Sequence, residues 1–245
     1  MVIEQEMEIH EAKVLPAVEL RQEGDTVVWM DKKSGDEEEP RPVKLQCRFD
    51  RASGSTQLAV HSILTQLKQS IPNNALCLIG FTMSDLYDTK PDLFVAGMAS
   101  GNRRVGVFSF YRYNPTLTFS TEFWYKIYRS GTGVTVDVTE TKRIVLQRSC
   151  KLIVHEIAHL MGVDHCIWFS CCMNGSGHIG EDFKQPMFLC PVDLHKLQTL
   201  CGFDVVSRYK GMLSFFLKHR MTEEVEWLQR RIDFISSTHP AHTPK

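Results

Sequence analysis

The feature that most constrains the fold of this chain is the run HEIAHLMGVDH at residues 155–165, which has the form H-E-x-x-H-x-x-G-x-x-H. On a helix, His155 and His159 are four residues apart, so both imidazoles project from one face and can share a metal ion. Gly162 allows the chain to turn at the helix end and to bring His165 back as a third ligand. Three neutral imidazoles hold zinc with one tetrahedral position open, which is the arrangement of a catalytic site.

Glu156 lies beside these ligands without being one of them in this interpretation. Its carboxylate can accept a proton from water near the metal, so Glu156 is the predicted general base. A buried helix with incidental histidines is the alternative interpretation. The complete pattern, with the glycine and the third histidine at fixed offsets, arises by chance in roughly one in ten thousand chains of this composition. The metal site is therefore the favoured hypothesis.

Charge and composition narrow the class of protein further. The 245 residues include 28 Lys and Arg against 29 Asp and Glu, a net charge of −1, and this balance argues against nucleic-acid binding through a broad basic face. Hydrophobic residues make up 43% of the chain, which is ordinary for a globular protein. No apolar run approaches the roughly 18 residues of a membrane span, and the acidic start lacks the apolar core of a secretory signal. We therefore expect no membrane partner and a cytoplasmic or nuclear location.

Hydrophobic periodicity predicts an α/β, or more loosely α+β, fold. Strands are predicted at 75–83, 93–99 and 105–113, the last two as a hairpin. Helices are predicted from Ser55 to the turn at Pro72, and at 140–161, 191–200, 205–219 and 223–235. The intervening segments 114–139 and 163–189 are expected to be irregular. The predicted organisation is an N-terminal segment of uncertain structure at 1–40, a single domain at 41–236 and a C-terminal tail at 237–245.

The residues after the histidine motif extend the pattern. They read HCIWFSCCM, with Cys166 directly after the third histidine, Cys171 five residues on, Met173 two beyond it, and Cys190 later in FLCPVDLHKLQ. This succession strongly resembles the archaemetzincin family of metzincin zinc metallopeptidases, whose pattern continues the histidine motif with a cysteine, four residues, CxM and a distant CxxC. The runs GFTMSDLY, FVAGMAS, VGVFSFYRY and RSCKL are also similar to that family, and the resemblance covers residues 58–210.

The resemblance implies a metzincin-type zincin domain, in which a mixed sheet packs with an active-site helix, a Met-turn and a helical C-terminal part. It implies a catalytic zinc whose ligands are His155, His159 and His165. Glu156 would be its general base and acid, and Met173 would be the Met-turn residue that packs beneath the metal without ligating it. Some metzincins have a tyrosine two residues after this methionine, but Gly175 stands there in this chain.

A second, structural zinc is implied for the cysteines, and such a metal would pin the irregular segment 163–189. Cys166, Cys171 and Cys190 match the family pattern, but Asp193 stands where the family has its last cysteine. Asp193 could supply a carboxylate ligand. It could instead cap the start of the following helix, with the fourth ligand coming from elsewhere or the second site weakened.

The function implied by the resemblance is zinc-dependent hydrolysis of peptide bonds in peptide or protein substrates. Aminopeptidase-like action on small peptides is one form it could take, and nothing in the sequence separates that from endopeptidase action. The alternative is a catalytically inactive, zinc-stabilised binding protein on the same fold. The intact Glu156 argues against this alternative, and the missing fourth cysteine argues mildly for it. Tyr111, Tyr113 and Trp124 could line a substrate cleft, although packing is the favoured interpretation of all three.

Overall fold

The computed structural model describes residues 12–31, 41–51, 53–117, 137–177 and 179–238. Contacts divide these residues into two compact units. The strand-rich unit contains the described residues before 118 together with 159–162. The helical unit contains residues 137–158 and the described residues from 163 onward.

Three small sheets form the strand-rich unit. The first is an antiparallel meander of β1 (Glu19–Glu23), β2 (Thr26–Asp31) and β3 (Arg41–Leu45). In the second, β5 (Ser55–Ala59) pairs antiparallel with β4 (Cys47–Asp50) and parallel with β7 (Asp85–Tyr87). In the third, β9 (Val105–Ser109) pairs parallel with β6 (Leu78–Thr82) and antiparallel with β8 (Gly97–Ser100).

Helix α1 (Val60–Ser70) supplies much of the core of this unit. Its buried face repeats at helical spacing and consists of Val60, Ile63, Leu64 and Leu67. These side chains share one hydrophobic cluster with Leu58, Leu86, Val105 and Val107 of the strands. Burying a side chain of this size stabilises the fold by roughly 1.5–3 kcal/mol relative to leaving it in water, so α1 is fixed against the sheets mainly by apolar contacts.

The helical unit contains five helices. They are α2 (Val138–Leu160), α3 (Ile179–Lys184), α4 (Pro191–Cys201), α5 (Val205–Lys218) and α6 (Thr222–Thr238). The Asp137 carboxylate accepts hydrogen bonds from the backbone N–H groups of Thr139 and Glu140, so the start of α2 is capped. The core of the unit is built from Met187, Tyr209, Phe216, Met221 and Leu228. No helix within the described parts of the chain is both long and apolar enough to cross a membrane.

The predicted α+β class is confirmed, and so are the long helix ending in the histidine motif, the three C-terminal helices and the β8–β9 hairpin. Strands β3, β4, β5 and β7 and helix α3 were not predicted, and β5 occupies residues 55–59, where the first predicted helix was expected to begin. Residues 85–87 form β7, and 179–184 form α3 inside a segment that was expected to be irregular. Residues 118–136, which include Trp124, lie outside the described residues.

Candidate metal centres

The end of α2 places the three histidines of the motif. Gly162 adopts φ +83°, and its N–H donates to the His159 carbonyl oxygen at 3.0 Å. The Val163 N–H reaches back to the Ala158 carbonyl oxygen at 2.9 Å, which closes the last turn. The chain thereby returns toward the helix, and one ring nitrogen from each of His155, His159 and His165 lies within 4.8 Å of the others.

A backbone carbonyl group orients the first of these rings. His155 Nδ1 lies 2.7 Å from the Cys172 carbonyl oxygen. Because a carbonyl oxygen can only accept, the hydrogen bond places the proton of the neutral ring on Nδ1 and leaves the lone pair on Nε2. Metal-binding histidines in proteins are generally held by such a hydrogen bond from the other nitrogen. The donor set of three imidazoles therefore fits a zinc ion.

Glu156 is the acidic residue beside this cluster. Burial and, to a lesser extent, the negative charge of Asp182 on α3 raise the pKa of its carboxyl group to about 7. A zinc ion at the histidines would act in the opposite direction, because a nearby cation favours the ionised carboxylate.

The segment after His165 folds into a tight loop. The Cys166 N–H donates to the Met173 carbonyl oxygen at 2.8 Å, and the Asn174 amide group donates to the carbonyl oxygens of Cys166 and Phe169. The Cys171 N–H donates in turn to the Asn174 side-chain oxygen at 2.9 Å. Met173 is fully buried inside this arrangement, as expected for a residue that packs within a turn.

Gly175 lies directly against one of the histidines. A Cβ atom added at this position would sit 3.2 Å from Nδ1 of His165 and 3.4 Å from its Cγ. Such a contact is tighter than usual, so a side chain at this position would require the ring to move by a few tenths of an ångström. Nothing in the sequence pointed to this contact, because the two residues are ten positions apart in an irregular segment.

A second cluster of ligand-type atoms lies next to the first along the chain. The ligand atoms of Cys166, Cys171, Cys190 and Asp193 all lie within 4.8 Å of one another. Asp193 Oδ2 is 3.4 Å from the sulfur atoms of both Cys171 and Cys190, and the sulfur atoms of Cys166 and Cys190 are 3.9 Å apart. Three sulfur atoms and one carboxylate oxygen are a donor set that zinc accepts.

The Asp193 carboxylate faces the sulfur atoms and a lysine. Its other oxygen, Oδ1, accepts a hydrogen bond from Lys196 Nζ at 2.8 Å. The sulfur of Cys190, at the N-cap of α4, accepts from the backbone N–H of Asp193. Burial opposes ionisation of Asp193, but hydrogen bonds from Lys196, Cys190 and Cys171 outweigh it, so the pKa of this carboxyl group is lowered.

The side chains of Cys172, His195 and Tyr113 belong to neither group of ligand atoms. Cys172 is fully buried, its thiol faces the Lys151 carbonyl oxygen, and burial raises its pKa to about 12, so it is an unreactive core thiol. His195 is exposed on α4. Tyr113 is 1% exposed and packs edge-on against Phe110, which favours the packing interpretation of that residue.

Comparison with known proteins gives the class to which this arrangement belongs. The model of the family described as Peptidase family M54 matches residues 131–199, a stretch that contains all seven ligand candidates. Human archaemetzincin-2 is 37% identical over 218 residues, which cover 84% of this chain and 56% of that protein. Human archaemetzincin-1 is 30% identical over 182 residues, which cover 71% of this chain and 36% of that protein.

Among solved structures, archaemetzincin from Methanopyrus kandleri is similar with a TM-score of 0.43 and 23% identity, over 59% of this chain and 66% of that one. The chain spans about half the length of human archaemetzincin-2 and about a third of archaemetzincin-1. The class defined by the matched family model is that of the peptidases. Within that class, the chain belongs to the archaemetzincin family.

The contact between Gly175 and His165 predicts the effect of a small substitution. Gly175→Ala should displace the His165 ring and weaken zinc binding at the histidines by about tenfold, which is typical when the support of a ligand is disturbed. Gly177→Ala is the matched control, because its added Cβ would meet only Glu181 Oε2 at 3.6 Å. Zinc affinity measured by competition with a chelator checks this, and equal affinities for the two variants would contradict it.

The position of Asp193 predicts how the cysteine cluster responds to substitution. Asp193→Ala should weaken metal binding at the cysteine cluster by about tenfold or more, because loss of a residue that only supports a ligand already costs about tenfold. Asp193→Cys should retain metal binding, because thiolate is a softer ligand for zinc than carboxylate. Lys196→Ala, which keeps the carboxylate, should have a smaller effect. The metal content of each variant after dialysis against a chelator provides the measurement. If Asp193→Ala kept full zinc occupancy at the cysteine cluster, Asp193 would not be a ligand, and its role would be confined to the start of α4.

Proposed function

We propose that this chain is a zinc-dependent metallopeptidase that hydrolyses peptide bonds in peptide or protein substrates. One observation carries the proposal: three histidine nitrogens lie within 4.8 Å of one another with Glu156 adjacent to the first of them in the chain. The hydrogen bond from His155 to the Cys172 carbonyl group supports it, because the ring is already oriented as a metal ligand requires. A zinc site with no catalytic role has no need of a buried carboxyl group beside it.

A zinc ion held by the three histidines would polarise the carbonyl group of the scissile peptide bond and make a nearby water molecule more acidic. Glu156 would accept a proton from that water as its oxygen attacks the carbonyl carbon. The same residue would then deliver the proton to the nitrogen as the C–N bond breaks, so that the products are a carboxylate and an amine. Burial raises the pKa of the Glu156 carboxyl group in the metal-free chain, and a bound zinc ion would lower it, which would favour the carboxylate form that accepts the proton from water.

The second part of the proposal is a structural zinc bound by Cys166, Cys171, Cys190 and Asp193. The buried positions of the last three and the close approach of all four ligand atoms support it. Residues 166–171 form no helix or strand. A metal ion bound by Cys166 and Cys171, at the two ends of this loop, would restrict its conformation in place of the backbone hydrogen bonds of a helix or strand.

The finer proposals concern the substrate and the location. We propose an aminopeptidase-like preference, supported by the charge of Asp182, which acts on Glu156 and would attract the α-ammonium group of a short peptide. Comparing cleavage of one peptide with a free and with an acetylated amino terminus tests this preference. A cytoplasmic or nuclear location would keep the cysteines, which are all free, in the reduced state.

The mechanism predicts a specific loss of activity in Glu156→Gln. This variant should retain zinc at the histidines, because the residue is not a ligand, and should lose hydrolysis by about a thousandfold because no group replaces its proton transfers. Cleavage of a mixed peptide library, followed by mass spectrometry, provides the readout. Glu226→Gln is the control, since Glu226 is an exposed carboxylate on α6. Wild-type activity in Glu156→Gln would refute the mechanism, and an inert wild-type chain with full zinc would favour the inactive binding protein.

The two clusters share no ligand, so each should lose its metal separately. His159→Ala should remove zinc from the histidine cluster and leave the cysteine cluster loaded, because His159 contributes to the first cluster only. Cys190→Ser should weaken the cysteine cluster and leave the histidines able to bind zinc. Elemental analysis of purified protein gives the zinc count per chain. Loss of both zinc ions from His159→Ala would contradict two independent sites.

A further inference from the structure

A large cavity lies within the helical unit, separate from the three histidines. Its volume is about 930 Å³, which falls within the range of ligand sites in proteins. One wall is aromatic: the rings of Phe188 and Trp227 are stacked with their centroids 3.7 Å apart, and Tyr209 meets Trp227 edge-on. This wall offers a rigid apolar surface to a side chain that enters the cavity. None of the described residues lining the cavity is one of the three histidines.

The edge of the cavity carries exposed aromatic side chains. Phe169 and Phe234 line it and are 49% and 56% exposed. Trp168, next to Phe169 in the loop between two cysteines of the second cluster, is 82% exposed. Large apolar side chains that are exposed at the rim of a cavity are typical of an interaction site. Tryptophan in particular is enriched among the residues that dominate binding energy at protein interfaces.

The charge of the cavity lining differs from that of the chain. The chain as a whole has a net charge of −1, whereas the lining has more basic than acidic side chains. The basic residues are Lys151, Lys184, Arg230 and Arg231, and the acidic ones are Glu223 and Glu224. Glu224 is buried, with one carboxylate oxygen accepting a hydrogen bond from Gln147 and the other without a partner among the described residues. Lys184 and Arg230 are exposed and Arg231 is half-buried. The described lining has one exposed acidic residue, Glu223, so positive charge exceeds negative charge at the edge. Arg230 also lies 3.9 Å from the exposed Glu226 carboxylate, with which a ligand would compete.

We propose that this cavity and its edge, the C-terminal groove, bind a linear segment of a partner protein in which apolar side chains alternate with carboxylates. The apolar side chains would enter the cavity against Phe188 and Trp227. The carboxylates would pair with Lys184, Arg230 and Arg231 at the edge, where charge complementarity sets specificity and the rate of association. A concave site of this volume fits a chain segment with protruding side chains, whereas a lipid bilayer presents a flat surface.

Fluorescence anisotropy on the full-length Glu156→Gln chain tests the proposal without interference from cleavage. The probe is a fluorescein-labelled peptide of about twelve residues in which Glu alternates with Leu and Phe, a length that suits groove recognition of linear segments. We expect saturable binding that weakens as salt is added, because exposed charge pairs are screened. A peptide with Lys in place of every Glu should bind at least about tenfold more weakly than the acidic probe.

Surface variants locate the binding site. Arg230→Glu combined with Arg231→Glu should weaken binding of the acidic probe by about tenfold, and Trp168→Ala or Phe234→Ala should weaken it several-fold. Lys218→Glu and Leu217→Ala are the matched controls, since both residues are exposed on α5 and neither lines the cavity. These controls should bind as the unsubstituted chain does.

Three results would overturn the proposal. The first is equal affinity for the acidic and the basic peptide. The second is loss of probe binding in His159→Ala, which would show that the histidine cluster holds the peptide. The third is absence of peptide binding together with binding of phosphatidylserine vesicles that is weakened by Trp168→Ala. This result would identify the surface as a membrane contact. The proposal does not depend on peptidase activity, so an inactive chain that binds the probe would still support it.

Discussion

The hydrogen bond between His155 Nδ1 and the Cys172 carbonyl oxygen joins the active-site helix to the segment that follows it. Cys172 also donates its N–H to the Phe188 carbonyl oxygen at 2.7 Å, which anchors it on the approach to α4. Its neighbour Cys171 contributes a sulfur atom to the cysteine cluster. A single dipeptide therefore orients one imidazole, supplies one thiol and is itself fixed by the backbone. Any displacement of this dipeptide would disturb both clusters together.

The second cluster has a direct consequence for the first, because His165 and Cys166 are adjacent residues in different clusters. Burial raises the pKa of the Cys171 thiol to about 12, so this thiol is protonated in the absence of metal. Zinc would bind the thiolate and release the proton, and the free energy of binding would then contribute to the stability of the folded loop. Metal bound at the cysteines would thus restrict the position of His165 without contacting it.

The sequence predicted those parts of the structure that depend on short spacings. The motif placed two histidines on one helix face, and its glycine marked the helix end, because both features act within a few residues. Strand β7 was missed, since three residues carry no usable period and pair with β5 about thirty positions away. The contact of Gly175 with His165 and the hydrogen bond from His155 to the Cys172 carbonyl oxygen were also missed, because an irregular loop leaves no repeating pattern in the sequence.

The aspartate in the cysteine cluster changes the local electrostatics as well as the ligand. Three thiolates and one carboxylate around a divalent ion leave a net negative charge in a largely buried site, and a nearby cation stabilises such a charge. A thiolate has one sulfur atom to offer, whereas a carboxylate has two oxygens. In this chain Oδ2 of Asp193 faces the sulfur atoms while Oδ1 binds Lys196 one turn further along α4. Aspartate is a weaker ligand for zinc than cysteine. Its second oxygen, however, binds the compensating positive charge of Lys196 on the same helix. A cysteine at this position has only its sulfur atom and could not bind the metal and the lysine through separate atoms.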